Sequence, residues 1–494
     1  MYGGSGAGKS ASYVIPNALQ LLGSYVFTDP KGELYDKTAG FFKEKGYNVK
    51  VFNLVNPENS DGYNPLNHIT SEIDVDVIAN TIVRGQGGGE GKQDPFWDDM
   101  SEFVLKALIY YLKAARPPEE QNLASCSELL RAASASGGES LLGNLIHQLP
   151  FDHPARMYFK NVEDLPEKTL GSVYGTLQSK LGKFDSKEIA EVTSTDTIDF
   201  EEIGAQRTAV YVISSDTHTA YDFLLTIFFS QMIQQLYDYA DKSGGALPVP
   251  TYFILDEFAN IGRIPDFDKK ISTSRSRKIS FSVILQNLDQ LEAVYEKSHE
   301  TIIGNCDTHL FLGSNSQKTV EYFSKALGEK TITRDNISVN KDREDWKQGK
   351  SESDQIMARA LMTPDELRRM DVDQCIIYEK GLKPIKANKY YYFKYPEGKL
   401  VNRYKLDHND VHIERGPWRK YNPNNPYVED DGHGGGKSPM VESLDDLFDE
   451  DAAGANNNSG SKKTNNSDTS KEELTDIQKE LEAKFDELFG PLDD

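Results

Sequence analysis

Cysteine is scarce: three in 494 residues, Cys126, Cys306 and Cys375, with no CxxC pair among them. Such spacing suggests neither a disulfide framework nor a zinc site, and it suits a reducing cytoplasm. The nine histidines form no HExxH and no paired ligand spacing, so zinc is not expected. Long apolar runs are missing as well. The longest, such as FLLTIFF at 223–229, fall far short of the roughly 18 residues that cross a bilayer, so no transmembrane helix is expected. The first ten residues are glycine-rich and lack the apolar stretch of a signal peptide. Positive charge is in deficit: 55 Lys and Arg stand against 78 Asp and Glu, net −23. That balance argues against nucleic-acid binding, but the charge is uneven. Residues 428–494 hold 19 acidic and 6 basic residues, net −13, which leaves −10 for the 427 before them. The body is only mildly acidic, and a local basic channel is compatible with it.

The apolar fraction of 38% and aromatic fraction of 10% are enough for packed cores. The length allows about two to four domains. ASYVIPNALQLL reads as a helix, SYVFTD (24–29) as a buried strand, KTAGFFKEKG (37–46) as a helix and YNVKVFNL (47–54) as a second strand. This alternation predicts a parallel sheet covered on both faces. Residues 71–199 carry apolar positions three and four apart and few strand-like runs, which predicts an inserted all-α domain, with GQGGGEG (85–91) as a flexible loop inside it. Strand character returns at 207–215, 251–258, 278–287, 307–314 and 375–381, with YYYF (390–393) as a further strand candidate and the polar stretch 330–360 as a mobile one. Beyond 425 the chain is rich in Gly, Asn and Ser and acidic. Residues 426–494 are therefore expected to be largely disordered, with helical spacing only in 472–489. The expected division is 1–70 with 200–425 as one α/β domain, 71–199 as the α-domain, and 426–494 as the tail.

GGSGAGKS at 3–10 fits G-x-x-x-x-G-K-[ST]. Glycines let backbone N–H groups converge on phosphate oxygens. The expected wrap is Gly3, Gly4, Ser5, Gly6, Ala7, Gly8, Lys9, Ser10 and Ala11. Lys9 is expected to reach the β- and γ-phosphates and Ser10 to hold Mg²⁺, with the positive end of the following helix aimed at the phosphates. A loop of this kind normally follows a buried strand, and only two residues precede this one, so an N-terminal truncation is expected. YFILDE (252–257) is an apolar strand ending in two carboxylates. Asp256 suits a metal held through water, and Glu257 suits orienting and deprotonating an attacking water. FSVILQN (281–287) ends in Gln286, an amide able to sense the γ-phosphate. STSRSRK groups Arg275, Arg277 and Lys278; a guanidinium can stabilise transition-state charge from a neighbouring subunit, and a plain surface cluster is the alternative.

The series GGSGAGKS, FTDPKGELY (27–35), YNPL (63–66), DPFWDDMSEFVL (94–105), FILDEFANIGRIPDF (253–267), ILQNLDQL (284–291) and NCDTHLFLGS (305–314) resembles the type IV secretion coupling proteins of the TraG/TraD kind across about residues 1–385. The resemblance implies a RecA-like P-loop NTPase domain with an inserted all-α domain. It implies an ATPase using ATP and Mg²⁺, acting as a hexamer at the cytoplasmic face of the bacterial cell membrane. Such proteins receive relaxase-bound single-stranded DNA, or protein substrates, and deliver it to a type IV secretion channel during conjugation. Its roles carry onto Lys9, Ser10, Asp256, Glu257 and Gln286. Arg275, eleven residues before Gln286, stands where a trans arginine finger is expected, with Arg277 as rival. Members usually carry transmembrane helices and a first strand ahead of the loop, which this sequence does not contain. The alternatives are an FtsK-like double-stranded DNA translocase of the chromosome-partitioning type and a non-hydrolysing nucleotide-gated cargo adaptor.

Overall fold

Five parallel strands carry the molecule: β1 (Ser24–Thr28), β2 (Asn48–Asn53), β3 (Thr208–Ile213), β4 (Thr251–Leu255) and β5 (Ile279–Val283), in the order β2-β3-β1-β4-β5. The computed structural model describes residues 1–85, 95–135, 141–215, 220–340 and 349–423. The chain divides into residues 1–426 and 427–494, and everything described lies in the first. The expected tail and its 472–489 helix, and most of the 85–91 glycine run, lie outside the described residues.

β1 and β3 are buried along their whole length, as expected of apolar runs inside a parallel sheet. Their side chains part by the period of two. Val26, Val210, Val212, Phe253 and Leu255 join one core, which also takes Phe52, the helix Asp222–Lys242 and the helices between β2 and β3. Tyr25, Phe27, Ala209, Tyr211 and Ile254 join the other core, with Leu34, Tyr35, Ala39 and Phe42 of the helix Glu33–Glu44. Between β2 and β3 the described residues hold helices and no strand. The largest helix there, Pro95–Ala115, buries Val104, Leu105, Leu108 and Leu112 completely.

Three local outcomes differ from the sequence pattern. The helix after the glycine loop is short, a π-turn Ser10–Val14 followed by Ile15–Ala18. Pro16 has no N–H for the i−4 bond, and the Ile15 amide instead reaches back to the Ser10 carbonyl. The 330–360 stretch is not featureless: β7 (Glu329–Asn340) and β8 (Gly349–Ala360) form an antiparallel hairpin. Thr331, Ile332 and Thr333 supply β-branched residues that favour it. YYYF is not a strand. The pairing falls earlier, at β10 (Ile385–Asn388) on β9 (Gln374–Glu379), which pairs in turn with β6 (Thr308–Phe311). Tyr392–Lys394 instead make a 3₁₀ turn.

Candidate functional site

In a parallel sheet every strand delivers its carboxyl end to the same edge, and ligands gather there. Tyr2 makes bridges to Leu285, beyond β5, and to Phe311 of β6. Its N–H donates to the Leu310 carbonyl at 2.8 Å, and the Leu312 N–H donates to its carbonyl at 2.8 Å. The glycine loop therefore starts directly from the sheet edge. Gly4 donates to the Gly313 carbonyl at 3.0 Å. Gly6 and Gly8 take φ of 75° and 77°, left-handed values that bend the loop and that side chains rarely adopt.

β4 ends beside the loop in Asp256 and Glu257. Lys9 Nζ lies 3.8 Å from Asp256 Oδ1 and 3.9 Å from Glu257 Oε1. Ser10 Oγ donates to Asp256 Oδ2 at 3.5 Å. Thr28, at the end of β1, donates its hydroxyl to the Asp256 carbonyl at 2.7 Å and ties the two strand ends together. Burial, then the neighbouring Glu257 charge, push the Asp256 carboxyl upward, and Lys9 pulls it down. A buried carboxylate beside a hydroxyl, with charge Lys9 does not fully balance, is a donor set of hard oxygens suited to Mg²⁺.

Glu257 is held tightly. Its backbone sits at φ 50°, a left-handed value uncommon outside glycine, and its N–H donates to Asp256 Oδ1 at 3.0 Å. Gln286 Nε2 donates to Glu257 Oε1 at 3.0 Å, and Asn260 Nδ2 donates to Oε2 at 3.2 Å. Both carboxylate oxygens are thus aimed. Gly4 through Ala11, Asp256, Glu257 and Gln286 line one cleft of about 790 Å³. Gly3 stands just behind it at the sheet edge, where an added Cβ would meet Lys9 Cγ at 3.1 Å.

Arg275 is not in this cleft. It precedes β5 at the end of the sheet opposite Gln286, its side chain 95% exposed and 3.9 Å from Asp307. Arg277 is pinned: it donates twice to Asp241, at 3.0 and 2.9 Å, and lies over the Tyr237 ring.

Residues 1–413 match the family model described as type IV secretory system conjugative DNA transfer. The chain belongs to that family. It is 26% identical over 433 residues to the conjugal transfer protein TraG of Escherichia coli, covering 80% of this chain and 67% of that one. It is 25% identical over 400 residues to the protein VirD4 of Agrobacterium fabrum, covering 78% of this chain and 57% of that one. The chain thus spans about three fifths to two thirds of the length of these relatives. Among solved structures, the unbound conjugative coupling protein TrwB superposes with a TM-score of 0.58 at 15% identity, covering 78% of this chain and 83% of that one. TrwB in complex with ADP and Mg²⁺ gives 0.56 at 15% identity, covering 79% and 84%. At that identity the likeness is one of fold: a RecA-like P-loop NTPase architecture. Among the described residues no helix of this family member is long and apolar enough to cross a membrane.

Four features of the site carried no assigned role in the sequence. Asn260 lies within the LDEFANIG motif, and its spacing of three from Glu257 was the available signal. Asp29, in FTDPKGELY, lines the cleft and accepts the Tyr35 N–H at 2.8 Å. Burial pushes its carboxyl up to about 6. Lys389 Nζ donates to the carbonyls of Ala7 at 2.9 Å and Leu312 at 2.8 Å, bracing the glycine loop from behind. Tyr392 and Phe393 complete one wall of the cleft. These last contacts join residues far apart in sequence, and no local pattern announces them.

Proposed function

We propose that this chain is the ATP-hydrolysing motor of a conjugative coupling protein. ATP would be gripped by the backbone N–H groups of Gly4–Ala11 and by Lys9, with Mg²⁺ on the Ser10 and Asp256 side. Bound there, the metal would offset charge on the phosphates. Glu257 would orient an attacking water and take its proton, since both its oxygens are held in place by Gln286 and Asn260. Gln286 bonds that carboxylate while lining the phosphate cleft, so loss of the γ-phosphate would reach β5 through it. The observation that carries this reading is the convergence of Lys9 and Ser10 from near the amino end with Asp256, Glu257 and Gln286 from mid-chain on one cleft.

Family membership favours relaxase-bound single-stranded DNA, or protein substrates, as the cargo, over the chromosome-partitioning translocase. The carboxylate aimed into the cleft favours hydrolysis over a passive adaptor. Arg275 is too far from its own cleft to serve it, so a finger role would belong to a ring, most simply a hexamer, in which it meets a neighbour's nucleotide. The cytoplasmic face of the membrane and the secretion channel follow as location and partner. ATP turnover measured with and without single-stranded DNA tests the reading: turnover that rises with DNA is expected, and no turnover under either condition would contradict it.

A further inference from the structure

The phosphate end of the cleft is closed by Glu257 and Gln286, and the opposite wall comes from the segment after β10. Tyr391 lies against Gly8, where a Cβ would come 3.0 Å from the tyrosine Cε1. The turn Tyr392–Lys394 then packs on Ser10–Val14. Tyr392 rests on the cluster containing Val14 and Ile15, and Phe393 projects at the cleft wall, 58% exposed. Its position is well fixed. Tyr391 stacks on it at 5.3 Å and 25°, and Tyr392 meets it edge-on at 5.5 Å and 79°. Gly398 approaches so closely that an added Cβ would lie 2.9 Å from Phe393 Cα.

In a loop of this kind the lysine reaches the β- and γ-phosphates, while the backbone leading into the helix holds the α-phosphate. Whatever is attached beyond the α-phosphate leaves the loop over Ser10 and Ala11, along the helix start where Tyr392 and Phe393 stand. A rigid aromatic ring kept partly bare at that place fits a flat π-surface.

We propose that Phe393, supported by Tyr391 and Tyr392, is the platform on which the nucleobase of the bound nucleotide stacks. This rests on the reading of the cleft as a nucleotide site. Stacking uses the π-face that every base has, so the platform supplies affinity without selecting the base by hydrogen bonds.

The test is calorimetric titration of the full chain, with Mg²⁺, using a non-hydrolysable ATP analogue and inorganic tripolyphosphate as separate probes. Phe393→Ala and Phe393→Leu are expected to weaken the ATP analogue by about ten-fold or more. Phe393→Trp is expected to keep its affinity, and tripolyphosphate binding is expected to be unchanged in all three. Unchanged binding of the ATP analogue by Phe393→Ala would overturn the platform and leave the nucleotide site standing. Equal losses for both probes would overturn it too, because the ring would then only brace the loop. Failure of the unsubstituted chain to bind either probe would overturn the nucleotide reading, and the platform with it.

Discussion

At Glu257 the polypeptide accepts an uncommon backbone conformation and uses it to turn a carboxylate into the cleft, where two amides hold it. Asn260 acts on the cleft through its bond to Glu257 Oε2, so its contribution is aim. Asn260→Ala is expected to lower ATP turnover by roughly 10- to 100-fold with ATP binding unchanged, since small misplacements at a reacting centre cost that much. Steady-state kinetics beside a binding titration separate the two effects. Asp29 makes a different prediction, on stability. Its carboxyl is pushed from an ordinary value of 3.8 up to about 6 by burial. The folded state therefore holds its proton more tightly than the unfolded one. The stability this provides is full below about pH 4 and is lost as pH rises through about 6. Asp29→Asn keeps an acceptor for the Tyr35 N–H without the buried charge. It is expected to be more stable than the unsubstituted chain at pH 8, by at most about 3 kcal/mol. The difference should shrink towards zero near pH 4, read by urea unfolding across that range.

Among the elements, the segment following β10 ties a distant part of the sequence to the glycine loop. Lys389 satisfies two carbonyls, those of Ala7 and Leu312, from a largely buried position. Lys389→Ala strands both, at a cost of about 1–3 kcal/mol. A lower melting temperature is expected, partly restored by saturating ATP because ligand binding favours the folded state; an unchanged melt would remove Lys389 from the loop's support. The parallel strands were legible in the sequence because SYVFT, TAVYVI and TYFIL are unbroken apolar runs bounded by polar turns. The helices between β2 and β3 were legible from their three-and-four spacing. The β7–β8 hairpin was not, since its strands are polar enough to read as loop. YYYF misled for the opposite reason: its aromatic run satisfies strand propensity, yet its rings serve the cleft wall and the apolar cluster beside Val14. At the site, Lys9, Ser10, Asp256, Glu257 and Gln286 were readable because their chemistry travels in short motifs. Lys389 and Phe393 were not, because only the folded chain brings them to the loop.

For the whole molecule, Arg275 stands before β5, away from its own cleft, so a finger role would have to be played at a neighbouring subunit's nucleotide. Mixing Arg275→Ala with Lys9→Ala protein is expected to restore some turnover if the finger acts between subunits; no restoration where rings are seen would exclude it. The charge of −13 carried by residues 428–494 lies outside the sequence of the cleft. Deleting that stretch is expected to leave ATP turnover intact and to change binding of a basic partner, which an ATPase assay beside a partner pull-down checks. The central claim is that a glycine loop near the amino end and a carboxylate pair from mid-chain grip and hydrolyse one nucleotide. Its most direct measurement compares ATP binding and turnover, with single-stranded DNA present, in the unsubstituted chain, Lys9→Ala and Glu257→Gln. Both variants are expected to lose turnover, with Glu257→Gln still binding ATP. Equal turnover in all three would contradict the claim.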